Sequence, residues 1–197
     1  NGIFRLVETN ADGSAGMNDS NALERAVLMS DCYRHFQTRP RLRSCEMVRP
    51  LARMLLKYLR NPAGTIGILD VPGVLTAAEF VAVKEALEKS GGSAEIVTPK
   101  DLRYRHGLYA GGRRIDLVYR RLVTADALKI WDGLTALIEA YRKHQIVMVG
   151  SFRSEVLHNK AILALLHDRR FLSGLARSDR KMIARHVPES HILSQES

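Results

Sequence analysis

From Thr65 onward, apolar blocks and mixed blocks alternate along the chain, and they predict strands and helices in turn. Short apolar runs of strand length suit strands that are buried on both faces, as in a parallel sheet. These runs are Thr65–Val71, Ala94–Val97, Ile115–Tyr119 and Ile146–Val149. The longer blocks predict helices that cover the sheet. Because strands alternate with helices, we expect an α/β fold, a three-layer αβα domain with a mostly parallel sheet.

The predicted helices have apolar residues at helical spacing. Thr76–Glu79 has the pattern of a capping box and opens a helix that turns Phe80, Val83 and Leu87 inward. A later helix, over about Ala125–Lys143, is predicted to bury Leu128, Trp131, Leu134, Ile138 and Tyr141. Two more are predicted over Ser154–His167 and Ser178–His186, and a hairpin or loop excursion over Leu102–Tyr104 and Gly107–Ala110.

The first part of the chain is predicted to contain one strand, one loop and two helices. The strand is Phe4–Val7, and the helices run from Asn18 or Ser20 to Phe36 and from Cys45 to Leu59. The first helix would place Leu23, Val27 and Cys32 on its apolar side. We therefore expect a single domain over residues 1–197, with 1–64 as its N-terminal part and 65–197 as its βα-alternating part.

A Glu-x-Asn pair follows the predicted N-terminal strand. Side chains alternate along a strand, so Glu8 and Asn10 would point the same way and could offer oxygens to one hard cation. The pair therefore suggests a metal or phosphate site. A polar strand end that enters a surface turn has the same pattern. Calcium is a further alternative, because a calcium loop's first, third, fifth, sixth and twelfth positions would be Glu8, Asn10, Asp12, Gly13 and Asp19. That loop normally follows a helix, whereas a strand is predicted here.

Polar residues also follow the other predicted strands. Asp70, Arg120, Arg121 and the segment from Ser151 to Arg153 would lie at the carboxyl ends of the sheet, where α/β proteins bind ligands. Arginine binds carboxylate or phosphate with two parallel hydrogen bonds, so these residues suggest an anionic substrate. Arg120 and Arg121 are equally consistent with a solvated pair at a strand end.

Composition narrows the choice of partners. The formal net charge is +9, from 30 basic and 21 acidic residues, but no long block of like charge marks a nucleic-acid tail. The charge alone supports one alternative function, a non-catalytic module whose basic face binds nucleic acid or another polyanion. Aromatic residues make up 6% of the chain and none clusters in a basic strand, so nucleic acid is not the expected partner. Cys32 and Cys45 lack metal-ligand spacing and are expected to be free thiols in a reducing, cytoplasmic setting. No membrane span is predicted.

Three segments in order resemble the region that precedes the ATP-binding fold in circularly permuted ATP-grasp proteins. That group is similar to glutathionylspermidine synthetase and eukaryotic glutathione synthetase. The segments are Val7–Gly13, Ile115–Leu122 and Asn159–Asp168, with His186–Ser190 behind them. The resemblance spans nearly the whole chain and implies a Rossmann-like pre-ATP-grasp domain of an ATP-dependent carboxylate–amine ligase.

The resemblance also implies roles for individual residues. Glu8 and Asn10 would help to hold Mg²⁺ beside the ATP phosphates, and Tyr119 and Arg121 would contact a small carboxylate or peptide-like substrate. Asp12, Asn159 and Lys160 would lie on the active-site side. The ATP-grasp domain itself would follow Ser190 but is missing from this chain, which ends at Ser197. We therefore expect that this chain alone binds neither ATP nor Mg²⁺ firmly and is inactive without the rest of the protein.

Overall fold

A computed structural model describes residues 3–36, 45–74 and 76–193. The chain forms two compact units. The larger unit is Gly13–Ser151, and the smaller one joins the residues up to Asp12 with those from Phe152 onward. The predicted division at residue 64 therefore falls inside the larger unit, and the two ends of the chain fold together.

The strands of the larger unit form two sheets. Its described residues contain β1 (Thr65–Leu69), β2 (Ser93–Val97), β3 (Leu102–Tyr104), β4 (Leu108–Ala110), β5 (Arg113–Ile115), β6 (Leu117–Arg120) and β7 (Val147–Val149). One sheet has the order β2-β1-β6-β7 and all its strand pairs are parallel. The four predicted apolar strands thus lie in one parallel sheet, and the predicted α/β fold is confirmed.

Helices cover this sheet because its central strands β1 and β6 are buried along their whole length. The larger unit contains α1 (Met17–Leu28), α2 (Asp31–Phe36), α3 (Val48–Tyr58), α4 (Ala77–Lys89), α5 (Thr124–Lys129) and α6 (Thr135–Arg142). All five residues of β1 are buried. Ile66 and Ile68 pack with Leu55 of α3 and with Phe80 and Val83 of α4. Burial on both faces is what the unbroken apolar run of β1 predicts.

Three of the predicted helices are broken, and the first of them lies near the start of the larger unit. The helix expected up to Phe36 ends at Leu28, and α2 begins at Asp31. Ser30 causes the break, since its hydroxyl accepts a hydrogen bond from the Tyr33 amide at 3.2 Å and so caps α2. Neither helix has a buried residue, and the expected apolar side at Leu23 and Val27 is exposed.

The helix expected over Ala125–Lys143 is also interrupted. A 3₁₀ turn at Trp131–Leu134 separates α5 from α6. A 3₁₀ turn has three residues per turn, so it rotates the inward face away from the 3.6-residue period. Ala127, Leu134 and Leu137 are consequently buried, whereas the expected core residues Leu128 and Trp131 are exposed.

The hairpin region is a three-stranded antiparallel sheet of β3, β4 and β5. The predicted excursion is therefore present, with one more strand than expected. Gly111 and Gly112 form the two-residue turn between β4 and β5, and both have positive φ values of 56° and 82°. Such a turn suits the twist of an antiparallel hairpin.

The regular secondary structure in the described part of the smaller unit is all helical. It contains α7 (Ser154–His158), α8 (Ala161–Leu165), α9 (Arg169–Ser173) and α10 (Arg177–His186) around Leu163, Ile183 and Val187. The helix expected over Ser154–His167 breaks at Asn159, whose backbone is extended and whose side chain accepts a hydrogen bond from the Ala161 amide at 2.9 Å.

The predicted strand Phe4–Val7 is wrong. This segment has no regular secondary structure, and it lies along the end of α10, where the Leu6 amide donates to the His186 carbonyl at 2.7 Å. Phe4 stacks on the His186 ring. None of the helices in the described part of the chain has the length and apolar character needed to cross a bilayer.

Candidate functional site

The order of the parallel sheet marks one position for a ligand. β1 has β2 on one side and β6 on the other, so the order of connection reverses between β1 and β6. Open α/β sheets bind ligands at this switch point, outside the carboxyl ends of the strands. Asp70 follows β1 and Arg121 follows β6 here. The Arg121 amide donates to the Leu69 carbonyl at 2.8 Å, which ties the two strand ends together.

Arg121 forms a buried ion pair with Glu79, which lies in the first turn of α4. The Arg121 Nη2 and Glu79 Oε1 atoms are 2.9 Å apart, and the two side chains are only 2% and 4% exposed. The other oxygen of Glu79, Oε2, accepts a hydrogen bond from the Asn18 amide of α1 at 3.2 Å. The pair thus connects a strand end with two helices.

The Arg121 guanidinium lies beside two aromatic rings, and two of its nitrogens have no hydrogen-bond partner among the described residues. Its central carbon lies 5.7 Å from the ring centres of both Phe80 and Tyr119, a distance at which cation–π attraction acts. Burial raises the pKa of the Tyr119 hydroxyl. The Nε and Nη1 atoms of Arg121 are buried and have no hydrogen-bond partner among the described residues. Buried donors without a partner are destabilising, so they are usually explained by a ligand or by water.

Asp70 contributes a carboxyl group at the same strand ends. Its Oδ1 atom accepts a hydrogen bond from the Val71 amide at 2.7 Å. Burial raises the pKa of Asp70, and this effect exceeds the opposing effects of the Val71 hydrogen bond and of the charge on Arg121. The carboxyl therefore holds its proton more firmly than an exposed aspartate does.

Arg120 has a different environment. Its side chain is fully buried, and its guanidinium donates hydrogen bonds to the main-chain carbonyls of Leu122, Gly150 and Ser151. These contacts join the ends of β6 and β7. The prediction of a solvated arginine pair is therefore wrong for both residues, because both guanidinium groups are buried and bonded within the protein.

No protein-family model matches this chain, and a search of curated proteins finds no match either. The resemblance to circularly permuted ATP-grasp proteins stays a prediction from the three sequence segments.

The predicted metal pair lies in the smaller unit. Glu8 Oε2 is 2.8 Å from Lys160 Nζ, and both side chains are more than half exposed. The hydrogen bond and the charge of Lys160 lower the pKa of Glu8. Asn10 is exposed and Asp12 is buried. The structure thus joins Glu8, for which the resemblance implies metal binding, with Lys160, for which it implies a place on the active-site side.

Metal binding has limited support in the described residues. They contain no group of three or more His, Cys, Asp or Glu side chains that could hold a metal ion. Since Mg²⁺ is usually bound by one or two carboxylates together with phosphates, Glu8 and Asn10 suit it only when phosphate oxygens complete the site. Residues 3–7, the described residues directly before Glu8, have no regular secondary structure, whereas a calcium-binding helix–loop–helix has a helix at this place.

Sequence reasoning missed Glu79 as a site residue. The Thr76–Glu79 pattern predicts a capping box, but Thr76 makes no side-chain cap hydrogen bond and Glu79 turns inward to Arg121. One signal could have revealed this. Glu79, Val83 and Leu87 have a spacing of four residues, which places the glutamate on the same buried stripe as the apolar residues.

Proposed function

We propose that this chain is the substrate-side domain of an ATP-dependent carboxylate–amine ligase of the circularly permuted ATP-grasp type. In this reaction the carboxylate takes the terminal phosphoryl group of ATP to give an acyl phosphate and ADP. The amine then attacks the acyl carbon, loses a proton and expels inorganic phosphate as the amide bond forms. The observation that carries the proposal is the Arg121 guanidinium at the switch point, with two buried nitrogens that lack hydrogen-bond partners among the described residues. The planar fork of arginine matches the two oxygens of a carboxylate.

The residues at the switch point would divide the work of binding. Arg121 would hold the substrate carboxylate, and the rings of Tyr119 and Phe80 keep the guanidinium in place. Asp70 would exchange a proton with the incoming amine, a task that suits a carboxyl with a raised pKa. Since Arg121 is closed off from solvent here, the proposal requires that its guanidinium becomes accessible when substrate binds.

ATP and Mg²⁺ enter this proposal through a separate ATP-binding domain. Glu8 and Asn10 would hold Mg²⁺ together with phosphate oxygens, and the ion would neutralise phosphate charge during acyl transfer. Lys160, which pairs with Glu8, would be near those phosphates. Asn159 orients the start of α8 beside Lys160 through its bond to Ala161.

We further propose that the protein acts in the cytoplasm. Cys32 and Cys45 are both exposed free thiols. Free exposed thiols are typical of a reducing compartment. ATP as co-substrate is consistent with the same location.

The proposal is tested by ligand binding to purified residues 1–197. A panel of amino acids and short peptides with free carboxylates is titrated by calorimetry, and we expect saturable binding of at least one member. Arg121→Lys keeps the positive charge for Glu79 but loses the planar fork, and should weaken that binding about tenfold or more. The control is Arg53→Lys on α3, where the arginine is exposed. Equal binding by the Arg121→Lys protein would contradict the proposed role.

An activity assay tests whether the ATP-dependent step requires a separate ATP-binding domain. We expect purified residues 1–197 to show no Mg²⁺-dependent ATP turnover with the same acids and a panel of amines. If robust turnover is found and Glu8→Ala abolishes it, the chain contains a complete active site and is not merely a substrate-side domain.

A further inference from the structure

The antiparallel sheet carries a row of one tyrosine and two arginines on its open face. Arg103 lies opposite Tyr109 in the β3–β4 pair, and Tyr109 lies opposite Arg114 in the β4–β5 pair. Opposite residues in antiparallel strands project from the same face. The neighbouring positions Leu102, Leu108, Ala110 and Ile115 are buried. We call Arg103, Tyr109 and Arg114 the Arg–Tyr–Arg row.

Gly107 lies beside the flat groups of this row. A Cβ atom at Gly107 would lie 3.4 Å from Cε2 of the Tyr109 ring and 3.7 Å from Cζ of Arg114. The ring and the guanidinium therefore lie close to each other, both beside this position. A hollow of about 490 Å³ adjoins the row and is lined by Arg103, Arg105, Tyr109, Gly111 and Gly112.

The guanidinium groups of Arg103 and Arg114 are held in position by contacts that occupy only some of their N–H donors. Arg103 Nη1 donates to the carbonyls of Lys100 and Leu102 at 2.7 and 2.8 Å. Arg114 Nε lies 3.3 Å from Asp116 Oδ1, and the Arg114 side chain is 53% exposed. A guanidinium has five N–H donors, so each arginine keeps donors for a ligand. Arginines fixed in this way lose little side-chain freedom on binding.

Charge around the row strongly favours an anion. The segment from Pro99 to Arg114 contains five basic residues and one acidic residue, Asp101. Asp101 is already bonded to Thr98 through the amide at 2.8 Å and the hydroxyl at 2.7 Å. Arg113 is paired with Glu95 at 2.9 Å, whereas Arg105 adds a further exposed cation beside the hollow.

We propose that the antiparallel sheet binds single-stranded nucleic acid, with one base stacked on Tyr109 and the adjacent phosphates on Arg103, Arg105 and Arg114. Proteins bind single strands by combining a cationic groove with aromatic rings on which bases stack. Adjacent strands are about 4.8 Å apart, so the row spans about 10 Å and places a cation on each side of the ring. A chain of alternating bases and phosphates matches this order. Base-paired duplex does not, because its bases are stacked on each other and unavailable to Tyr109.

Sequence reasoning argued against nucleic acid because no aromatic residues cluster within a basic strand. The structure supplies the missing arrangement across three strands. Tyr109 has alanine and leucine as neighbours in β4, and its cationic neighbours come from β3 and β5. The surface is also independent of the proposed ligase site, since none of its residues belongs to that site.

Fluorescence anisotropy with a fluorescein-labelled oligothymidylate of about 12 nucleotides tests the proposal on purified residues 1–197. We expect Tyr109→Ala to weaken binding about 5- to 150-fold, the range for loss of one stacked base. Arg103→Ala should lower the slope of log affinity against log salt by about 0.7, the share of one phosphate contact. Tyr109→Phe keeps the ring and should bind like the unmodified protein.

Matched control variants separate this site from general charge attraction. Tyr58→Ala and Arg53→Ala remove an exposed tyrosine and an exposed arginine from α3, and both should leave binding nearly unchanged. Absence of binding, or equal losses in the control and site variants, overturns the proposal. So does binding of duplex or inorganic polyphosphate as tight as that of the single strand, because neither ligand offers an unstacked base.

Discussion

The two sheets of the larger unit use arginine in opposite ways. At the carboxyl end of the parallel sheet, Arg120 and Arg121 are buried and their guanidinium groups are bound to main-chain carbonyls or to Glu79. On the antiparallel sheet, Arg103 and Arg114 are exposed and keep free donors. The same side chain is therefore a fixed part of the fold in one sheet and an open binding group in the other.

Desolvation explains why the two sets behave differently. A charge moved from water into the protein interior loses several kcal/mol of hydration, so a buried arginine needs a partner to remain there. An exposed arginine keeps its hydration and gains only about 0–1 kcal/mol from a surface ion pair. Substitutions at the parallel sheet should thus lower stability as well as carboxylate binding, whereas those at the antiparallel sheet should affect binding of anions with little change in stability.

The largest expected effect is that of Arg121→Met. This change leaves the Glu79 carboxylate buried without a cation, and we expect the free energy of unfolding to fall by about 3–5 kcal/mol. Arg103→Met should change it by less than about 0.5 kcal/mol, because the residue is exposed. Urea denaturation with a constant slope measures both values.

The double variant Glu79→Leu with Arg121→Met is the control for this prediction. Replacing both members of a buried pair by apolar residues is often neutral, so most of the lost stability should return. Equal effects of Arg121→Met and Arg103→Met would remove the proposed difference between the two sheets.

Alanine substitutions at two glycines compare the parallel and antiparallel sheets in a second way. Gly13 has φ +61°, and a Cβ there would lie 2.6 Å from both the Arg121 carbonyl oxygen and Val123 Cγ1. Gly111 has φ +56° but has no atom within 4 Å of the Cβ position. Alanine at either position carries about 1–2 kcal/mol of left-handed strain, and only Gly13→Ala adds a clash with backbone.

Thermal unfolding should therefore show a clearly larger loss for Gly13→Ala than for Gly111→Ala. The loss at Gly111 should stay near the strain value alone. A similar decrease in Tm for both proteins would show that the backbone near Arg121 can move aside, and that the carboxyl end of the parallel sheet is less rigid than its packing implies.

The sequence predicted the parallel sheet well because its signal is local. The central strand β1 is a mostly apolar run, and burial on both faces is the direct cause of such a run. The helix breaks at Ser30 and Trp131 were not predicted. At these positions a hydroxyl cap and a 3₁₀ turn outweigh a hydrophobic period that continues through the break.

Both arginine sites depend on contacts between distant parts of the chain, and neither could be predicted in full. Tyr119 and Arg121 were identified from a resemblance, but the partner Glu79 was assigned to a capping box because Thr-x-x-Glu is a local pattern. The Arg–Tyr–Arg row has one residue from each of three strands, so no single segment contains it. Register within a sheet must be known before such a row can be recognised.

Two aspartates should give pH dependences of opposite sign. Burial raises the pKa of Asp70 above its ordinary value of about 3.9. The stability contributed by its protonated form is complete below that value and is lost as pH rises through the raised pKa. Asp70→Asn cannot ionise and keeps an acceptor for the Val71 amide. Its advantage in unfolding free energy should therefore be small at pH 3 and grow towards pH 7.

Asp101, next to the antiparallel sheet, is the matched control. Hydrogen bonds from the amide and hydroxyl of Thr98 lower the pKa of Asp101, so its contribution is present above the ordinary value and is lost as pH falls through the lowered pKa. Asp101→Asn should be less stable than the unmodified protein at pH 7, with the difference closing in acid. If Asp70→Asn is also less stable than the unmodified protein at pH 7, the charge of Arg121 lowers the pKa of Asp70 more than burial raises it.

The smallest expected effect concerns the exposed ion pair between Arg113 and Glu95. Its atoms are 2.9 Å apart and its side chains are 56% and 33% exposed. Because Lys84 also lies 3.6 Å from Glu95, the pair is best measured by a double-mutant cycle of Arg113→Gln and Glu95→Gln. We expect a coupling energy of about 0.2–1 kcal/mol at low salt. In 1 M NaCl, where the screening length is about 3 Å, it should nearly vanish.

The coupling between Arg121 and Glu79 should stay constant over the same range, since salt ions do not enter a pair that is closed to solvent. A salt-sensitive coupling at Arg121 would mean that solvent reaches this guanidinium, and that the switch point opens readily enough to admit a carboxylate.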